Sequence, residues 1–426
     1  MSRYSKTVIV LFLIFFYGCS TKEPQKPQVV IGKKAFEKED MLIIQALEYE
    51  RLKEYDNAIK TYDLLYKNSD KLEYLIEEAK LSFLVHNDKN TYNLLKEALK
   101  KYPNEPSFKR LLIGYYIKQK EYKKAEKLAL ELVKEDRNSK HLQILADIYL
   151  REKEYKLALK YFQSAFKESK SESILLNMVD LLYRFLDRKK DAISYLETYI
   201  RMNDASREIY YTLIRIYGQQ KDIDGLISTY KKLYEKFGDD EYAKKAIELM
   251  MYKKDVNGAI DFLKKSGYNK ELLLDIYTRE KRYEDAYKVA LSLYEESGKI
   301  DYLGRAAIFE YEANKDKLNK KVLKSISQKF EKVIEKLQLP LYLNYYGYLL
   351  IDHDLDIKKG IKLVKMALQK EPKSPFYLDS LAWGYYKLGK CLDALEVMEK
   401  FIKETNEPEV VMHYNKIKEC VKRENR

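Results

Sequence analysis

The residues able to do chemistry are few and far apart. Four histidines, His86, His141, His353 and His413, are scattered over 426 residues, and the three cysteines stand at 19, 391 and 420. The sequence has no HExxH pair, no GxSxG elbow and no glycine-rich phosphate loop, the patterns of metal hydrolysis, acyl transfer and nucleotide binding. No residue is assigned a catalytic or metal-ligating role, and no cofactor or small-molecule substrate is expected. Aspartate and glutamate are spread throughout, so a chance carboxylate pair carries no information.

Two cysteines could still meet. Cys391 opens the second helix of the last predicted helix pair, and Cys420 falls late in a predicted helix over 409–424. In antiparallel neighbours the end of one helix faces the start of the other, which would bring the thiols together in an oxidising compartment. Two separate buried cysteines, each acting as a small apolar residue, fit the sequence as well.

The elements that would position such residues follow one pattern, clearest over 139–172. Leu142, Leu145, Ala146 and Tyr149 lie three and four apart and make one apolar stripe on a first helix. Ala158, Phe162 and Ala165 make the facing stripe of a second helix, and the small alanines permit close approach. A polar turn from Arg151 to Glu154 joins them. The frame recurs: Tyr149, Tyr183 and Tyr217 are 34 residues apart, as are Leu145, Val179 and Leu213. These offsets resemble the tetratricopeptide repeat.

That resemblance implies an all-α fold, a right-handed superhelix of about eleven antiparallel helix pairs closed by a C-terminal capping helix. Low glycine and proline content, 14 and 8 residues, agrees with helices throughout. The resulting plan has a block of about eight repeats over 39–300, an irregular repeat over 301–339, a pair of repeats over 340–408 and a cap over 409–426. The seventh repeat, around Ile247, Ala259 and Leu263, is short and ends at Ser266 and Gly267. After Tyr311 the spacing is too long for a normal turn and second helix, which predicts a lengthened helix or an insertion.

The first residues are of another kind. Arg3 and Lys6 precede an apolar run from Thr7 to Gly18, and Cys19 follows. The run is shorter than the roughly 20 residues that span a bilayer. It resembles a bacterial lipoprotein signal over 1–18, although Phe16 and Tyr17 stand where Leu and a small residue are usual. A plain signal peptide or an uncleaved anchor is the alternative. The resemblance implies acylation of Cys19, a flexible tether over 19–38 and attachment to the periplasmic side of a membrane, the outer membrane rather than the inner. The bilayer would then be one partner.

The stretch from Leu343 to Ile402 resembles the last two repeats of a bacterial family of tetratricopeptide lipoproteins. The matching residues include Leu343, Asn344, Tyr346, Gly347 and Tyr348, then Gly360, Ala367 and Pro372, then Asp379, Ser380, Trp383, Gly389 and Ala394. First helices of such pairs line the concave face. Counting along the frame gives Asn344, Tyr345, Tyr348, Phe376, Trp383 and Tyr386 as partner-binding residues, with packing between repeats or under the cap as the competing role. The corresponding earlier positions, Arg110, Gln143, Asp147, Asn177 and Arg215, lack the Lys and Asn clamp of carboxylate-binding relatives.

Charge narrows the partners. Lys and Arg exceed Asp and Glu by 80 to 67, a net charge of +13, but the signs are interspersed as on solvated helix faces. An exported chain would not meet nucleic acid, so an anionic lipid or an acidic surface of an envelope protein is the expected contact. The leading expectation is a non-enzymatic scaffold or chaperone that aids assembly of a membrane machine, for example a secretion system or a flagellar motor unit. An adaptor that recruits or restrains cell-wall hydrolases is the alternative. A cell-wall enzyme is the least favoured class, because repeats run almost to Arg426.

Overall fold

The computed structural model describes residues 34–86 and 88–424, and contains helices and turns but no strand among them. The leader 1–18, Cys19 and most of the tether 19–38 lie outside the described residues. The helices form two compact units that part between Asn203 and Asp204, inside the stretch 39–300.

Among its described residues the first unit holds five helix pairs. They are α1 (Glu39–Arg51) with α2 (Tyr55–Ser69), α3 (Leu72–Val85) with α4 (Lys89–Lys101), and α5 (Pro106–Lys118) with α6 (Tyr122–Glu135). Then come α7 (Ser139–Arg151) with α8 (Tyr155–Ser169), and α9 (Glu172–Arg184) with α10 (Lys189–Met202). In α7 and α8 the expected stripe is the core: Leu142, Leu145, Ala146, Tyr149, Ala158, Phe162 and Ala165 are all buried. The Asn138 side chain starts α7 by accepting from the His141 N–H, satisfying a donor that the helix leaves free.

The second unit holds six pairs and one further helix. Its first three pairs are α11 (Arg207–Gln220) with α12 (Ile223–Phe237), α13 (Asp240–Tyr252) with α14 (Val256–Ser266), and α15 (Lys270–Arg279) with α16 (Tyr283–Ser297). They are followed by α17 (Ile300–Asn314) with α18 (Lys320–Lys336), α19 (Pro340–Asp352) with α20 (Ile357–Lys370), and α21 (Pro375–Lys387) with α22 (Cys391–Glu399). The last helix, α23 (Pro408–Glu424), packs Val410 and Ile417 into the core of the final pair. The second helices of the seventh and ninth pairs differ in length. Helix α14 has 11 residues and ends at left-handed Gly267, whereas α18 has 17.

One turn recurs between first and second helices. Lys53, Lys120, Lys153, Lys221, Lys254 and Lys281 all adopt left-handed backbone, with φ between 55° and 64°. Only in the last pair does glycine, Gly389 at φ 75°, occupy that place. In the tenth pair glycine serves packing instead. A Cβ on Gly347 would lie 2.9 Å from the Gly360 carbonyl oxygen, and one on Gly360 would lie 2.6 Å from that of Gly347. Helices α19 and α20 therefore cross backbone to backbone, which fixes the face that α19 turns away from α20.

Candidate functional site

That outward face carries Leu341, Asn344, Tyr345 and Tyr348, spaced as one stripe of a helix. It forms the floor of a cavity of about 530 Å³, within the roughly 300–1,000 Å³ range of ligand pockets. Helix α17 contributes Tyr311 and Glu312, with Lys315 just past its end, and α21 contributes Phe376, Tyr377 and Asp379. Glu407 and Glu409, at the start of α23, close one side. First helices of three successive pairs thus make the walls, and the cap makes the end.

Four of the six residues expected to bind a partner meet here. Asn344 is 9 % exposed, and its Oδ1 has no hydrogen-bond partner. Tyr345 and Tyr348 are half-buried, while Phe376 is 60 % exposed at the rim. The Tyr348 hydroxyl donates to Glu409 Oε1, tying the floor to the cap. Burial pushes the Tyr348 phenol above its usual range, and the Glu409 hydrogen bond adds to this. Tyr345 and Tyr311 shift upward too, first by burial and then by neighbouring carboxylates. All three stay neutral at physiological pH.

Trp383 and Tyr386 are not in the cavity, which corrects the expectation that they face a groove. Trp383 is only 4 % exposed. Its ring stacks on His413 of α23 at 4.0 Å and on Tyr386 at 4.8 Å, and its indole N–H donates to Asp352 at 2.9 Å. Trp383 occupies the frame position of Tyr348 one pair later. There the cap lies where a next repeat would, so the position is packed. Asp379 is similarly engaged, with its carboxylate 3.0 Å from His413 Nδ1.

Cys391 and Cys420 do meet. Their Cα atoms lie 5.8 Å apart, inside the span a disulfide bridges, and the sulfurs are bonded. The bond joins the start of α22 to the end of α23, far along the cap from Glu409. Glu312, Lys315, Glu407 and Glu409 were not foreseen as site residues. The frame signals only Tyr311, 34 residues before Tyr345; the cap's glutamates belong to no repeat register.

A family model described as a tetratricopeptide repeat matches residues 89–148. That stretch runs from α4 into α7, and the helix pairs on either side of it have the same all-α repeating arrangement. No curated protein sequence matches the chain. Among solved structures the repeats are similar to the Cut9–Hcn1 hetero-tetramer of APC/C, with 12% identity, 91% of each chain covered and a TM-score of 0.35. A structure of Naa15/Naa10 bound to HypK-THB gives 16% identity over 91% of this chain and 63% of that one, with a TM-score of 0.35. Pseudomonas aeruginosa pilF gives 20% identity over 48% of this chain and 95% of its own, with a TM-score of 0.37. A tetratricopeptide scaffold is a fold for protein–protein interaction. No described helix is long and apolar enough to cross a membrane.

Proposed function

We propose that this chain is a lipid-anchored scaffold on the periplasmic side of a bacterial membrane, held through Cys19 at the outer rather than the inner membrane. It binds a segment of another envelope protein and so aids assembly or stability of a membrane machine, of the kind a secretion system or flagellar motor represents. The work is recognition, without bond-making chemistry. The observation that carries the reading is the cavity over Asn344, Tyr345 and Tyr348, with Phe376 exposed at its rim. A buried amide oxygen without a hydrogen-bond partner, beside aromatic walls, is suited to receive a peptide group and an anchor side chain.

A photo-crosslinking amino acid placed at Phe376 in living cells tests the binding half. One discrete adduct with an envelope protein is expected, against none from the exposed Phe185 in the first unit. Equal labelling from both positions would overturn the reading. Cys19→Ala tests the anchor: the protein should move from the membrane fraction to the soluble periplasm. Retention in the membrane fraction would show a different attachment.

A further inference from the structure

Every cavity wall has a charge balance, and this one departs from its surroundings. Glu312, Glu371, Glu407 and Glu409 face it, against the single cation Lys315, in a chain whose net charge is +13. Lys315 stands 3.8 Å from Glu409. Glu312 and Glu407 have no ion-pair partner among the described residues. A cavity of the same size in the first unit is different: Asp63, Glu78 and Glu97 are matched there by Lys67, Lys100 and Lys101.

A second observation points to what is missing. Asn344 Oδ1 on the floor is buried and accepts no hydrogen bond. An acceptor shut away from water without a donor is costly, by about 1–3 kcal/mol, and such an atom at a cavity wall suits a ligand donor. The carboxylates are acceptors as well, and the rings of Tyr345, Phe376 and Tyr377 offer faces that attract cations. Acceptors, negative charge and aromatic faces converge on one kind of group. It is positive, carries several N–H donors and has a flat surface.

We propose that the cavity takes the guanidinium of an arginine in a basic segment of a partner protein. This rests on the reading of the cavity as the partner-binding site. The arginine enters between the Phe376 and Tyr345 rings, donates to Asn344 Oδ1 on the floor, and is neutralised by Glu312 and Glu407. Its planar fork serves several acceptors at once, which a lysine ammonium does less well.

The probe is the end-blocked peptide Gly-Arg-Gly, titrated into the full chain in detergent and followed by ligand-observed NMR. Its comparison is the same peptide with citrulline, which keeps the shape and loses the charge. The arginine peptide should bind at least tenfold more tightly. Glu312→Gln with Glu407→Gln should weaken it at least tenfold with unchanged thermal unfolding, since neither side chain has an internal ion pair to lose. Exposed Asp393→Asn should change nothing. Equal binding of the two peptides, or full binding by the double variant, would overturn the proposal.

Crosslinking at Phe376 separates this from the broader reading. An adduct that forms in the natural chain and falls at least tenfold in the double Gln variant supports both. An adduct that persists undiminished, or that maps to a partner segment without arginine, leaves the scaffold standing and removes the arginine. An adduct with the chain's own tether or with a second copy overturns the assignment to a separate partner. No adduct in the natural chain removes both.

Discussion

At the residue scale, two aromatics from the same counting rule have opposite roles. Trp383 lies between His413 and Tyr386 in the core beneath the cap, whereas Phe376 stands at the rim. Trp383→Ala should cost about 3–5 kcal/mol in urea unfolding, as large-to-small core changes do. Any loss of partner capture should track that unfolding. Asn344→Leu should do the reverse, raising the stability of the isolated chain by about 1 kcal/mol while weakening capture, because it removes an unsatisfied buried acceptor. A destabilised Leu variant would mean that Asn344 has a role in the fold. Trp383 was misplaced because helical spacing specifies a face of α21 but not what covers it.

Glu78 gives the first unit a pH dependence. Burial raises its carboxyl to about 7, with the Asp63 charge adding and Lys67 opposing. A carboxyl raised above its unfolded value binds more protons in the folded state. Stability is then full below about pH 4.5 and is lost as pH rises through 7, by on the order of 2 kcal/mol. Asp147, raised to about 6 by burial, acts in the same sense at lower pH. Glu39 acts in the opposite sense. Its burial would raise it, but Lys71, Tyr74 and the Ala35 N–H hold it down to about 2, so its contribution is lost only as pH falls below 4.5. Hydrogen exchange in α3 should show protection falling between pH 5 and 8, and Glu78→Gln should remove most of that fall. An unchanged profile in the variant would exclude Glu78 as the source.

At the element scale, the helices and their pairing were legible in the sequence because packing imposes the pattern. Large residues at three and four and alanine at Ala158 and Ala165 are what two closely packed helices require. The cap helix itself was legible, but its seat was not. Its apolar face, Val410, His413 and Ile417, includes a histidine whose partner Asp379 is 34 residues away in another helix. The cystine between α22 and α23 secures that seat. It closes a span of 29 residues, for which chain entropy alone predicts about 3–4 kcal/mol. Cys391→Ser with Cys420→Ser should therefore raise hydrogen exchange in α23 far more than in α19. Uniform exchange across both helices would show that the bond acts on the unit as a whole.

At the scale of the whole molecule, net charge concealed the site. A surplus of 13 positive charges suggests acidic partners, yet the cavity built from three first helices and the cap gathers glutamates. Composition averages over surface that the fold distributes unevenly. The repeat frame located the face, while burial by the cap and the unpartnered Asn344 oxygen located the cavity on it. The central claim is that this face of the second unit, rather than the first helices of earlier repeats, holds the partner. A crosslinking scan with one probe each at Gln143, Asn177, Arg215 and Phe376, the adducts mapped by mass spectrometry, tests it most directly. The account predicts a dominant adduct from position 376 and little from 143 or 177; a stronger adduct from either of those positions would contradict it.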